Sequence, residues 1–270
     1  MSEPAVVYEK KDGVAVVRMN RPEVRNAMNA EMLCRLADAW QDINEDKSVR
    51  CAILTGTGDE AFCAGADLGD FIPMMQGLKP PKNEFDERAK NDPSIIFRGL
   101  LRGYDVFKPI IAAVNGHSYA GGTEILQATD IRVVAEDARL AISEVKRSLF
   151  PMGGSTVRLV RQIPWAMAME ILLTGEPISA QEAHRIGLVN KVVPRAKVME
   201  EALRYAQILA ENGPLAVQAV KKSVLAGSGL SIEEALAKEM EIGIPVSASR
   251  DAQEGPRAFK EKRKPVYEGR

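Results

Sequence analysis

The chain has 270 residues, is 46% hydrophobic and carries a net charge of -1. That is enough apolar material for a full core in one large domain, or one domain with a small appendage. The near-neutral balance argues against nucleic-acid binding as the main role, and no apolar run is long enough to span a bilayer.

In chain order, Val14 to Met19 is a β-rich run after the turn signal Asp12-Gly13. Asn29 is placed to cap a helix reaching about Asn44, with Leu33, Leu36, Trp40 and Ile43 as its apolar face. Met28 can staple against Leu33. Cys51-Ala52-Ile53-Leu54, Ile110 to Val114, Ile131 to Val134 and Leu140 to Ile142 read as buried strands, and an apolar helical stretch runs from about Gly122 to Ala128. Strands of near-continuous apolar character alternating with helices predict a largely parallel α/β arrangement. Residues 72–93 show no clean period, which fits either a mobile wall over a site or a surface insertion. From Pro164 onward the pattern is helical. Ser179-Ala180-Gln181-Glu182 and Ser231-Ile232-Glu233-Glu234 are capping boxes, Pro214 suits a first turn, and a final helix near Asp251 to Lys262 starts acidic and ends basic. This tail shows no strand of its own, so it is expected to pack on the core or on a neighbouring subunit. The expected division is a core over 1–205 and a helical region over 206–270.

Two glutamates carry the chemical signal. Glu124 falls in the first turn of a helix, in Gly121-Gly122-Thr123-Glu124, after a strand ending near Val114. A helix N-terminus leaves backbone N–H groups unpaired and partly positive, which suits an oxyanion, and Gly121 lets a carbonyl approach closely. Glu144 follows the strand Leu140-Ala141-Ile142. Taken singly, the first fits dipole complementation and the second a polar strand exit. The stretch Ala61-Phe62-Cys63-Ala64-Gly65-Ala66-Asp67-Leu68 supplies a second small-residue turn, with an N–H near Ala64 able to face the same oxygen. Two carboxylates and two such turns are what adding water to an activated double bond requires.

Other signals are weaker. Cys63 has no histidine nearby in sequence and reads as a small packed thiol. Cys34, Cys51 and Cys63 are widely spaced, without a C-x-x-C pair, so neither a disulfide framework nor a structural zinc site is expected and a reducing compartment fits. Ser143-Glu144-Val145-Lys146 matches S-x-x-K without its partner motifs. Gly56-Thr57-Gly58 lacks the third glycine of a dinucleotide fingerprint. Met1-Ser2-Glu3-Pro4 shows no basic region leading into an apolar run, and a cytoplasmic protein is the expectation.

Four stretches together resemble the enoyl-CoA hydratase/isomerase (crotonase) superfamily. They are Arg21-Pro22-Glu23-Val24-Arg25-Asn26-Ala27-Met28, the Phe62–Leu68 turn, Asn115-Gly116 with Gly121-Gly122-Thr123-Glu124, and Phe259-Lys260-Glu261-Lys262-Arg263-Lys264-Pro265. Ala120 to Gln127 with Phe150-Pro151-Met152-Gly153-Gly154 looks most like a bacterial subgroup that includes steroid side-chain enoyl-CoA hydratases.

The resemblance implies a spiral of ββα repeats with a helical C-terminal trimerisation region, assembled as a homotrimer or a dimer of trimers. It implies oxyanion N–H groups at Ala64 and Gly121, and the hydratase glutamates at Glu124 and Glu144. Contacts to coenzyme A are implied at Arg25, Ala66, Asp67, Leu68 and Lys262, the last often reaching a neighbouring subunit. Coenzyme A belongs to the acyl-CoA substrate, and no separate cofactor or metal is implied. The implied reaction is hydration of a trans-2-enoyl-CoA to the 3-hydroxyacyl-CoA. An isomerase or another acyl-CoA lyase on the same site is the alternative, with a non-catalytic coenzyme A- or RNA-binding relative behind it.

Overall fold

The computed structural model describes residues 3–270. Its strands are β1 Val6–Lys11, β2 Val14–Met19, β3 Cys51–Gly56, β4 Ala61–Cys63, β5 Ile110–Val114, β6 His117–Tyr119, β7 Ile131–Ala135, β8 Arg139–Ala141, β9 Ile178–Ser179 and β10 Lys191–Val193. Asp12 and Gly13 both take positive φ, 51° and 80°, and this turn closes the β1–β2 hairpin. The larger sheet then runs β1-β2-β3-β5-β7-β10, parallel from β2 onward. The smaller runs β4-β6-β8-β9, parallel except at β9.

Successive pairs β3–β4, β5–β6 and β7–β8 each place one strand in each sheet, with helices between one pair and the next. Each strand pair and its helical return make one turn of a ββα spiral. β3 and β5 are buried along their whole length, which explains their unbroken apolar runs. The capped helix is Ala30–Glu45. Asn29 Oδ1 accepts from the Met32 N–H at 2.9 Å, and Leu33, Leu36, Trp40 and Ile43 are buried. Trp40 Nε1 donates to the Gly99 carbonyl at 3.0 Å, so its polar edge is satisfied inside the core.

Three sequence expectations need correction here. Residues 72–93 are not a loop: helices Phe71–Met75 and Glu84–Asn91 occupy most of them, and Phe71, Met74 and Ala89 are buried. Asn83 caps the second helix, its Oδ1 accepting from Phe85 at 2.9 Å and Asp86 at 3.0 Å. The tail also contributes strands, because β9 and β10 each complete one sheet. Finally, residue 205 falls inside the helix Val198–Glu211, which packs its buried Val198, Ala202 and Ala206 on the sheet. The Ser231 capping box forms in full, whereas at Ser179 only the serine half forms, because Glu182 pairs with Arg185 at 2.6 Å. Helices Pro214–Gly227 and Ile232–Ser247 pack on each other yet leave Val220, Val224, Ile232, Leu236, Met240 and Ile244 exposed. Among the described residues no helix is long and apolar enough to cross a membrane.

Candidate active site

Two backbone turns meet at the mouth of the spiral. After β6, Ala120 adopts φ 50° and ψ -126°, a conformation L-residues rarely take, at a cost of about 1–3 kcal/mol. Its N–H donates to the Ala141 carbonyl at 2.9 Å, which holds it there. The turn delivers Gly121 as the first residue of the helix Gly121–Leu126. Gly65, with φ 93°, is the matching residue of the other turn. A Cβ on it would lie 2.7 Å from Ala120 Cβ and 3.2 Å from the Gly121 nitrogen. Only glycine lets the two turns approach this closely.

The donors differ from the expected pair. The Ala64 N–H donates to the Arg25 carbonyl at 3.0 Å and is not available to a substrate oxygen. Met28 takes the Gly65 carbonyl and the Asp67 N–H, leaving the Ala66 N–H between them. Among the described residues no acceptor meets the N–H of Ala66 or of Gly121. A Cβ built on Gly121 would sit 3.8 Å from the Ala66 nitrogen, so the two free donors lie side by side.

The two carboxylates line the same cleft as these donors. Glu124 is 3% exposed. Its Oε2 accepts from the Gly153 N–H at 2.8 Å and its Oε1 from the Ser155 N–H at 3.2 Å. Glu144 opens a short 3-10 turn, Glu144–Arg147, just beyond β8. Burial, and then the charge of Glu124, push its carboxyl up to about 7. Its Oε2 is buried with no hydrogen-bond partner. Both carboxyls line one cleft of about 920 Å³, together with Ala66 and Gly121. Its inner walls are apolar and include Leu33, Phe71, Ile72, Ile96, Phe97 and Leu100; of the segment 72–93 only its ends, Ile72, Met75, Gln76 and Pro93, line the cleft. The mouth carries Arg25, paired with Glu60 at 2.5 Å, and Leu68.

Of the remaining expected contacts, Asp67 turns away from the cleft. It pairs with Arg21 at 3.0 Å and accepts from the Gly69 and Asp70 N–H groups. Its work is to hold the turn. Lys262 follows the last helix and does not line the cleft of its own chain. Cys63 is fully buried, and desolvation pushes its thiol up to about 12, as a packed residue requires. Lys146 of the S-x-x-K match pairs with Glu176 at 2.7 Å instead of Ser143.

The profile of the enoyl-CoA hydratase/isomerase family matches residues 9–270. The chain belongs to this family. It is 47% identical over 269 residues, 100% of this chain and 98% of the other, to enoyl-CoA hydratase EchA19 of Mycobacterium tuberculosis. It is 36% identical over 264 residues to (E)-benzylidenesuccinyl-CoA hydratase of Thauera aromatica, covering 98% of this chain and 99% of that one. The solved enoyl-CoA hydratase EchA1 of Mycobacterium marinum superposes with a TM-score of 0.87 at 38% identity, covering 99% of this chain and 100% of that one.

Two elements of this candidate site escaped the sequence reading: Ala66 as the free donor, and the Gly153 and Ser155 N–H groups that hold Glu124. The Gly153-Gly154 pair was visible as a motif. Its direction toward Glu124 was not, because 29 residues separate the two.

Proposed function

We propose that this enzyme adds water across the trans-2 double bond of an enoyl-CoA thioester, giving the 3-hydroxyacyl-CoA. The observation that carries the reading is the placing of Glu124 and Glu144 together in one apolar cleft beside the unpaired Ala66 and Gly121 N–H groups. The thioester oxygen accepts from those two donors, which draws electron density from C3. Glu124 takes a proton from water as its oxygen bonds to C3. Glu144, raised toward neutrality, gives a proton to C2 as the enolate collapses. Proton exchange between the carboxyls and solvent restores the starting state. Coenzyme A is part of the substrate, and this route uses no further cofactor. A simple isomerase moves a proton with one carboxylate and has no need of the second.

Arg25 and Leu68 at the mouth suit the coenzyme A portion, and Lys262 would reach it from a neighbouring subunit. The exposed apolar residues on Pro214–Gly227 and Ile232–Ser247 support a homotrimer, or a dimer of trimers, as the assembly. The apolar inner walls support a fatty or steroid side-chain acyl group over a charged one. Three buried free thiols suit a cytoplasmic location.

The test is loss of the conjugated enoyl-thioester absorbance with crotonyl-CoA and with a long or steroid-derived enoyl-CoA, using Glu124→Gln as control. Glutamate-dependent loss is the expected result. No loss with any enoyl-CoA overturns the reading.

A further inference from the structure

Two guanidinium groups hold the loop that carries the donors to Glu124. The Met152 carbonyl accepts from Arg102 Nη1 at 2.6 Å. The same peptide unit supplies the Gly153 N–H, which donates to Glu124 Oε2 at 2.8 Å. A single peptide thus stands in series between a cation and the carboxylate. On the other side of Gly153, its carbonyl accepts from Arg158 Nη1 at 2.9 Å, and Arg158 Nη2 donates to the Leu101 carbonyl at 2.5 Å. Leu101 presents that carbonyl from left-handed backbone, φ 54°. Gly154, at φ 118°, lies so close that a Cβ on it would be 2.8 Å from Arg158 Nη1. Neither arginine lines the cleft. Arg102 lies over the Phe97 ring, 4.5 Å from its centroid, and so packs behind a cleft wall.

We propose that Arg158 and Arg102 are positioning residues that set the Glu124 carboxylate through the 152–154 loop. This rests on the hydratase reading of the site. The Arg102 guanidinium at the Met152 carbonyl polarises that peptide and strengthens the Gly153 N–H as a donor to Glu124. Arg158 binds the carbonyl of the next peptide and acts by position instead: tied to the Gly153 and Leu101 carbonyls, it fixes the distance between the loop and residue 101. Gly153 touches Glu124 so closely that a Cβ on it would fall 2.5 Å from Oε2. A small shift of the loop therefore moves the carboxylate. Because neither cation meets the thioester, the effect falls on turnover and not on substrate binding. Arg158, largely buried, has the stronger influence. Arg102 is exposed, and water screens it.

The experiment measures kcat and KM for enoyl-CoA hydration in single variants and in the Glu124→Gln background. Arg158→Met lowers kcat by about 10- to 100-fold with KM within about threefold. Arg158→Lys recovers part of the loss, since an ammonium can still meet one carbonyl. Arg102→Gln lowers kcat by about threefold. It alters only an exposed side chain and keeps the question answerable if Arg158→Met does not fold. Arg161→Gln, exposed on the same helix, leaves turnover unchanged. In the Glu124→Gln background, Arg158→Met costs no further activity, because its route runs through the carboxylate. Losses that multiply, a rise in KM at constant kcat, or wild-type turnover in both Arg102→Gln and Arg158→Lys overturn the proposal. Wild-type protein inactive on every enoyl-CoA overturns the hydratase reading, and this inference with it.

Discussion

Replacing Glu144 with glutamine should weaken catalysis and strengthen the fold, both with a defined dependence on pH. The Glu144 carboxyl rises from 4.5 to about 7, chiefly through burial and then through the charge of Glu124. The charged form is thereby disfavoured in the folded chain by up to about 3 kcal/mol. A carboxyl raised on folding binds its proton more tightly in the native state. Native stability from this group is therefore fullest below pH 4.5 and is lost as pH rises through about 7. Glutamine keeps the shape and removes the charge. Glu144→Gln should match wild type in Tm near pH 4 and exceed it by roughly 6 °C above pH 7. The rate changes the other way. Glutamine has no proton to give to C2, so kcat falls by about two to four decades. Wild-type hydration should lose about tenfold per pH unit above pH 7, as the protonated fraction of Glu144 falls, and the variant should lose that limb. The assays are thermal unfolding from pH 4 to 9 and enoyl-thioester absorbance over the same range. A Tm difference that does not vary with pH, or an alkaline limb that survives in the variant, refutes the assignment of Glu144 as the buried proton donor.

Glu124→Gln should reduce turnover by about two to four decades while the thioester still binds, measured by single-turnover absorbance and by equilibrium titration. The neighbouring glycines should separate function from folding. A Cβ on Gly121 meets nothing closer than 3.7 Å, so Gly121→Ala folds but sets a methyl between the two donors, with kcat down about 10²–10³-fold. A Cβ on Gly122 would lie 2.4 Å from the Cys63 carbonyl, so Gly122→Ala shows its loss in thermal unfolding. Iodoacetamide at pH 8 should leave activity intact, since all three thiols are buried and raised to about 11 or 12; rapid inactivation would contradict this. Asp67→Asn should lower Tm through loss of the Arg21 pair, with KM for the thioester nearly unchanged.

The sequence by itself determined whatever local patterning governs. The apolar runs of β3 and β5 declare strands buried on both faces, and Asn29 with its apolar stripe declares the helix Ala30–Glu45. Apart from β8, read as Leu140 to Ile142, the short strands were not legible. β4, β6 and β9 have two or three residues each, too few for a period, and they exist because a neighbouring strand completes their hydrogen bonds. The helix Glu84–Asn91 did leave a signal, Asn83 followed by Glu84, Asp86 and Glu87, but its flanking prolines and glycine obscured it. At the candidate site, residue type and place in the chain singled out both glutamates and Gly121, which the fold brings to one cleft. The second donor was not singled out. Ala64 and Ala66 are the same residue type on either side of Gly65 in one turn, and nothing in the residues tells them apart. The Arg25 carbonyl, remote in sequence, consumes one N–H and leaves the other free. The same physics holds for Glu144 and for the arginine clamp. Their properties come from burial, from a like charge 20 residues away in sequence, and from carbonyls 50 to 57 residues distant. Only the closed spiral brings such groups together, because electrostatic and hydrogen-bonding effects act over ångströms in space and not along the chain.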